Sequence, residues 1–159
     1  MINAHFLNEI FEYKNGNLYR KQSAGGQIVG SKVGYLRRDG YFAAKINGVN
    51  YLLHRLVFLL HHKYMPIQID HIDGNPANNT IENLREVTGS QNCMNKSKST
   101  KNKSGYKNVH YVKSSKKWRV QIKTKGVSYC FGCFDDIELA DLVAQEVRNK
   151  HFGSYAKHQ

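Results

Sequence analysis

The chain has 159 residues, 40% of them hydrophobic, with 10 Tyr and 7 Phe, a composition that excludes a disordered tail. Lys and Arg number 24 against 12 Asp and Glu, a formal charge of +12, and the greasiest run, YLLHRLVFLL at 51–60, is interrupted by His54 and Arg55, which excludes a membrane span. Three cysteines, an odd number, exclude a disulfide framework and suit a reducing cytoplasm, and the opening MINAHFLNEIFEYKNG lacks a secretory pattern.

The first fifty residues read as short strands. In EYKNGNLYR (12–20) two β-prone runs flank Asn15-Gly16, a hairpin signal, and the chain from 35 to 53 repeats the device at Asp39-Gly40 and Asn47-Gly48. A β-meander is the expectation. Residues 54–62 read as a helix with Leu53, Leu56, Val57 and Leu60 on one buried face, closed by Pro66. Within it His54 either hydrogen-bonds the backbone of the loop around 71–79 or simply lies in the helix, with the structural reading favoured, and His61 and His62 read as a solvated helix end. Residues 67–71 then read as a strand, DGNPANN as a wide loop, and 84–87 as a strand returning beside the first. Arg85 on that second strand can clamp a phosphate or form a surface salt bridge. Thr88 with Gln91 three residues later is a capping box, so a helix follows.

NKSKSTKNKSG (95–105) contains no large apolar residue and reads as a basic, flexible boundary. The expected domains are therefore 1–98 and 105–159, joined by a linker at 99–104. Between Glu86 and Asp135 the chain carries eleven Lys or Arg and no acid, interleaved with Tyr, Trp and His. That is the footprint of a phosphate-backbone binder, against which stands a merely soluble basic surface. Beyond the linker GYKNVHYV is a strand, and the next alternates Trp118, Val120 and Ile122 with Arg119, Gln121 and Lys123. Lys125-Gly126 is a turn and VSYCFGCF a third strand. Asp135 with Glu138 caps a helix bearing the stripe Ala140, Val143, Ala144 and Val147, stopped by Gly153. The chain as a whole is α+β. Cys130 and Cys133 have no second pair with which to hold zinc, and residues three apart on a strand face opposite ways, so they read as structural.

One acid-bearing stretch in this basic chain, IDHIDGN at 69–75, flanks a histidine with two carboxylates. Asp-Gly-Asn is ordinary turn chemistry, and His71 alone can be a packed strand histidine, as Asn78, Asn79 and Asn83 can be turn formers. Hydrolysis of a phosphodiester asks for something that deprotonates water and something that holds a divalent cation on the phosphate. A neutral imidazole suits the first task. Oxygens of Asp and Asn suit the second, because Mg²⁺ prefers hard donors and retains waters. On a strand Asp70 and His71 project to opposite sides. One arrangement sends Asp70 to the metal and His71 to the water, with Asn92 brought in by the helix.

IDHIDGNPANNTIENLREVTGSQNCMNK resembles the HNH motif of ββα-metal endonucleases, in the version found in phage and intron homing enzymes. The resemblance covers about residues 6–98, including the strands and LLHRLV that precede the motif. It implies that His71 is the general base, that Asp70 and Asn92 hold one divalent metal, Mg²⁺ or Mn²⁺, and that Asn83 pins the loop. Asn92 stands where other branches carry a histidine, and no paired Cys-x-x-Cys knuckles flank the motif, so neither a tight zinc site nor the zinc-stapled subgroup is implied.

Residues 104–157 resemble the ethylene-response-factor (APETALA-type) DNA-binding domain, through GYKNV, the Trp118 strand, FGCF and the helix ending in FGSYA. The resemblance implies a sheet that enters the major groove, and alternation then turns Lys107, His110, Arg119, Gln121 and Lys123 to DNA while Trp118, Val120, Ile122 and Phe131 pack on the helix. Several arginines and a second tryptophan of the plant domains are missing here, so their target sequence does not carry over. Together the two resemblances imply a metal-dependent endonuclease acting on double-stranded DNA in the host cytoplasm, with no membrane and no protein partner evident. The alternative is a non-enzymatic, sequence-specific DNA-binding regulator with a decayed nuclease fold, which would be expected to have lost Asp70, His71 or Asn92.

Overall fold

The computed structural model describes residues 2–96, 98–124 and 126–158, in two compact units, Met1–Val87 and Thr88–Gln159. In each, small antiparallel sheets accompany helices, the α+β class expected from the patterning.

The first unit departs from expectation at its start. Ala4–Ile10 is a helix, α1, where strands were expected, because the Asn3 side chain accepts from Phe6 N–H (2.9 Å) and caps it while Ala4 and Leu7 are buried. The chain then turns directly into the hairpin β1 (Phe11–Lys14) and β2 (Asn17–Arg20). Asn15 and Gly16 both hold positive φ, +46° and +78°, the two-residue turn whose twist matches the strands. A second sheet, in the order β3 (Tyr35–Leu36), β4 (Phe42–Ile46), β5 (Val49–Leu52), repeats that turn at Asn47-Gly48. The expected meander is thus two separate sheets, parted by the loop between Arg20 and Tyr35.

Helix α2 (Leu53–His62) buries Leu53, Leu56, Val57 and Leu60 as their spacing requires, and also Phe58 and Leu59. It is covered on more than one side because α1, β2, β4 and β5 all pack on it. Leu7, Phe11, Leu18, Val33, Leu53, Leu56 and Val57, each 2% exposed or less, are the centre of this core. Burying each contributes about 1.5–3 kcal/mol. From that base Arg55 donates to the carbonyls of Pro66 (2.9 Å) and Ile67 (3.3 Å), fixing the approach to β6 (Ile69–His71). β6 pairs antiparallel with β7 (Leu84–Glu86), Asp70 opposite Arg85 and His71 opposite Leu84.

The second unit opens with α3 (Gly89–Asn95), capped by the Thr88–Gln91 box. Its sheet runs in the order β10 (Val127–Phe134), β9 (Lys117–Thr124), β8 (Val109–Val112), so β8 is an edge. Helix α4 (Ile137–Phe152) packs on this sheet around Val109, Val120, Ala140 and Ala144, with Tyr106, Trp118, Phe131 and Phe134 half-buried against them. Of the expected Lys125-Gly126 turn, Lys125 lies outside the described residues. The stretch 99–104, expected as a linker, lies within this unit.

Three local readings change. The carboxylate that caps α4 is Asp136, which accepts from Glu138 N–H (2.7 Å), while Asp135 pairs with Lys117 (3.0 Å). The buried row on α4 is Ala140, Ala144, Arg148 and Phe152, with Val143 and Val147 only half-buried. Arg148 is tolerated there because it donates to Lys107 O and His158 Nδ1 and lies 3.8 Å from Asp141. Finally, Cys130 pairs with Gln121 but Cys133 with Arg119, so a bulge at Gly132 (φ +126°) inserts one residue between them. The bulge brings both cysteines to one face, as exposed free thiols, rather than to opposite faces.

Candidate functional site

In the first unit the polar residues of 69–83 close on themselves. Asp73 Oδ1 accepts from Asn75 N–H (2.8 Å) and the Asn83 amide (2.9 Å), and its Oδ2 accepts from the Asn78 amide (2.8 Å). Burial works to raise the Asp73 pKa, but those three donors and nearby His71 outweigh it, and the carboxyl sits below its ordinary range. Asn83 is buried at the centre. Its Oδ1 accepts from Asp73 N–H (3.0 Å), its amide donates to Asn78 O (2.8 Å), and its backbone carbonyl accepts from Ile72 N–H (2.9 Å). One side chain thereby closes the loop at both ends.

The loop is also braced from outside. Ile81 N–H donates to the Tyr13 hydroxyl of β1 (3.1 Å). At the hairpin turn, a Cβ on Gly16 would lie 2.8 Å from Thr80 N, and at the β3–β4 turn one on Gly40 would lie 3.1 Å from Pro76 Cγ. Both turns reach the loop because they carry glycine there.

His71 is held within this frame, 5% exposed. Its Nε2 lies 3.1 Å from Oδ1 of the buried Asn79. The Asn79 amide donates to Ala77 O (3.3 Å), which turns its oxygen toward the imidazole. In the tautomer that donates from Nε2 to this oxygen, Nδ1 carries the lone pair. The ring stacks edge-on against His54 (centroids 5.1 Å apart) and Tyr41 (5.9 Å). His54 is buried, and its Nδ1 finds no hydrogen-bond partner among the described residues. Burial, then the neighbouring His71 and Arg55, push its pKa down to about 3, so it stays neutral beside His71.

Asp70 alternates with His71 on β6. Its Oδ2 accepts from Arg85 Nε (2.9 Å) and Nη2 (2.8 Å) in a largely buried cross-strand pair. The sequence leaves a surface salt bridge open for Arg85, and the pair that forms is instead largely buried. Asn92, the other residue expected to bind metal, lies on α3 in the second unit. Among the described residues, no three His, Cys, Asp or Glu side chains gather to hold an ion. A carboxylate and an amide oxygen are hard donors, fitting a hydrated Mg²⁺ or Mn²⁺ better than Zn²⁺.

In the second unit the register places His110, Arg119 and Cys133 in one row across the sheet and Gln121 beside Cys130 in the next. These lie opposite the face that buries Val120 and Ile122. His110 and Lys123 are exposed, Arg119 and Gln121 half-buried. Lys107 is placed otherwise: it precedes β8, and its ammonium donates to Met94 O (3.2 Å) and Lys157 O (2.9 Å). Burial, then Arg148 and Lys157, lower its pKa to about 8.

The contacts of Asn79 and Tyr41 with His71 were missed by sequence reasoning, and the nearness of His54 to the loop was one of two readings left open. Turn composition does not separate Asn79 from Asn78, and contacts from residues 41 and 54 onto 71 are long-range. Among the described residues no helix is long and apolar enough to cross a membrane.

Comparison with known proteins matches residues 51–94 to the HNH endonuclease family. Protein 3.8 of Escherichia phage T7 is 33% identical over 89 residues, 56% of this chain and 73% of that protein. An uncharacterized HNH endonuclease of Acanthamoeba polyphaga mimivirus is 31% identical over 132 residues, 81% of this chain and 67% of that protein. No solved structure matches.

Proposed function

The chain belongs to the HNH endonuclease family, and from that premise we propose that it is a metal-dependent DNA endonuclease with His71 as its general base. The observation that carries this reading is the contact between His71 Nε2 and Asn79 Oδ1 at 3.1 Å. By holding the proton on Nε2, it leaves Nδ1 as the basic nitrogen that takes a proton from the attacking water. Asn83 and Asp73 keep the loop bearing Asn79 at a fixed distance from β6, and Arg85 orients the Asp70 carboxylate. The motif implies Asp70 and Asn92 as the ligands of one Mg²⁺ or Mn²⁺, which when bound would oppose charge on the scissile phosphate and its leaving oxygen. The nuclease module then runs from the N-terminal helix to about Lys98. The products are 5′-phosphate and 3′-hydroxyl ends, as for the phage homing-type enzymes that the motif resembles.

Residues 105–159, within the second unit, are the reader, of the ethylene-response-factor type. Arg119 and Gln121, on the open face of the sheet, suit base edges in the major groove, and His110 and Lys123 suit phosphates. Lys107 contributes from the margin of that face. A tethered reader raises the local concentration of a weak, shallow active site on its target.

Supercoiled plasmid incubated with Mg²⁺ or Mn²⁺, with and without EDTA, tests the reading. Open-circular or linear product that disappears with EDTA and with His71→Ala, while DNA binding survives, is the expected result. Cleavage by His71→Ala near the wild-type rate would assign the water to another residue. Absence of EDTA-sensitive cleavage on any substrate would favour the DNA-binding regulator.

A further inference from the structure

The lysine-rich stretch that reads as a linker is folded against β8. The Asn102 amide donates to Tyr106 O (2.8 Å), Asn102 Oδ1 accepts from Gly105 N–H (3.0 Å), and Ser104 Oγ donates to Val109 O (2.7 Å). Lys98 reaches across to Gly105 O (2.7 Å). These bonds shape a groove of about 890 Å³ along the edge strand. Lys96, Lys98, Lys101, Lys103, Lys107 and Lys113 line it, and among the described residues no carboxylate does. Its floor carries Tyr111 and Trp118, cross-strand partners with ring centroids 4.8 Å apart. Tyr111 is 49% exposed, so one face of its ring is open to the groove.

We propose that this groove binds a single, unpaired DNA strand, with phosphates on the lysines and a base stacked on Tyr111. Five exposed lysines around one concavity, Lys96, Lys98, Lys101, Lys103 and Lys113, with no carboxylate among its described lining residues, call for a polyanion. The aromatic floor decides which kind. A duplex backbone hides its bases, so Tyr111 would have nothing to stack on, whereas an unpaired strand offers both phosphates and π-faces. The Tyr111–Trp118 pair lies on the face opposite Arg119 and Gln121, while His110 and Lys107 of the duplex-reading margin also line the groove, and binding there requires no cleavage chemistry. Such a groove would hold the strand end that a nick releases, or a locally melted segment.

Binding of a fluorescein-labelled oligo-dT and of a duplex of equal length to the full chain, measured in EDTA, tests this apart from any nuclease activity. Trp118 is the single tryptophan, so its emission reports directly on the groove floor. Oligo-dT should quench Trp118 emission. Tyr111→Ala should weaken oligo-dT binding about tenfold or more and leave duplex binding unchanged, with Tyr111→Phe restoring it. Joint replacement of Lys101 and Lys103 by Ala should flatten the salt dependence of oligo-dT binding by about two phosphate contacts. Melting curves of the variants check that the fold persists. Failure of oligo-dT to quench Trp118, or an equal loss of single-strand and duplex binding in Tyr111→Ala, would overturn the proposal.

Discussion

At the scale of single residues, two groups beside His71 make distinguishable predictions. Asn79 fixes the tautomer through a neutral oxygen. Asn79→Asp would put a carboxylate there and favour the imidazolium, so the acid limb of the pH–rate profile should move up by about one pH unit or more. If Asn79 only forms the turn, the profile should stay where it is. His54 acts on stability. Its folded pKa of about 3 lies below the ordinary value of 6.5, so the unfolded chain binds a proton that the folded chain refuses. Stability is therefore full above pH 6.5 and is lost as pH falls toward 3, by up to ~1.4 kcal/mol per unit. Melting temperatures between pH 7 and 5 should fall more steeply for the wild type than for His54→Gln, and parallel curves would remove His54 as the cause.

At the scale of elements, the β1–β2 hairpin acts as a brace for the loop that carries Asn79. Gly16 combines a φ of +78° with a Cβ position 2.8 Å from Thr80 N and 3.0 Å from the carbonyl carbon of Asn79. Gly16→Ala meets both the strain of positive φ and a backbone clash. It should cost about 1–3 kcal/mol in chemical denaturation. It should also lower the cleavage rate at temperatures where the variant is fully folded, since the displaced backbone is that of the residue touching His71. Gly48→Ala is the control: its φ is also positive, +81°, but no neighbour stands within 4 Å, so stability alone should fall. On the β9 strand, Arg119→Ala should cost about 1–3 kcal/mol at a cognate site and relax preference at one base pair, read by binding-site selection. Lys123→Ala should weaken binding to every sequence and flatten the salt dependence by about one phosphate contact.

At the scale of the whole molecule, a chain ending at Lys98 should keep EDTA-sensitive nicking but cut with broader site preference, while residues 88–159 alone should bind duplex DNA. An unchanged cleavage pattern in the truncated chain would mean that the first unit reads its own site. The elements behind these functions were legible in the sequence wherever the signal is local. The paired Asn-Gly turns, the Thr88–Gln91 cap, the alternation from Trp118 to Lys123 and the spacing of Leu53, Leu56, Val57 and Leu60 each follow from backbone preference or periodicity within a few residues. The Asp-His-Ile-Asp stretch and its asparagines likewise stood out, because carboxylates are scarce in so basic a chain. Tertiary structure decided the rest. Whether Asn79 or Asn78 faces His71, whether Asp70 pairs with Arg85, and whether Arg148 or Val147 fills the buried row on α4 all turn on partners 8 to 41 residues away. Hydrogen-bond satisfaction in a buried space depends on those distant partners, which periodicity along the chain does not encode.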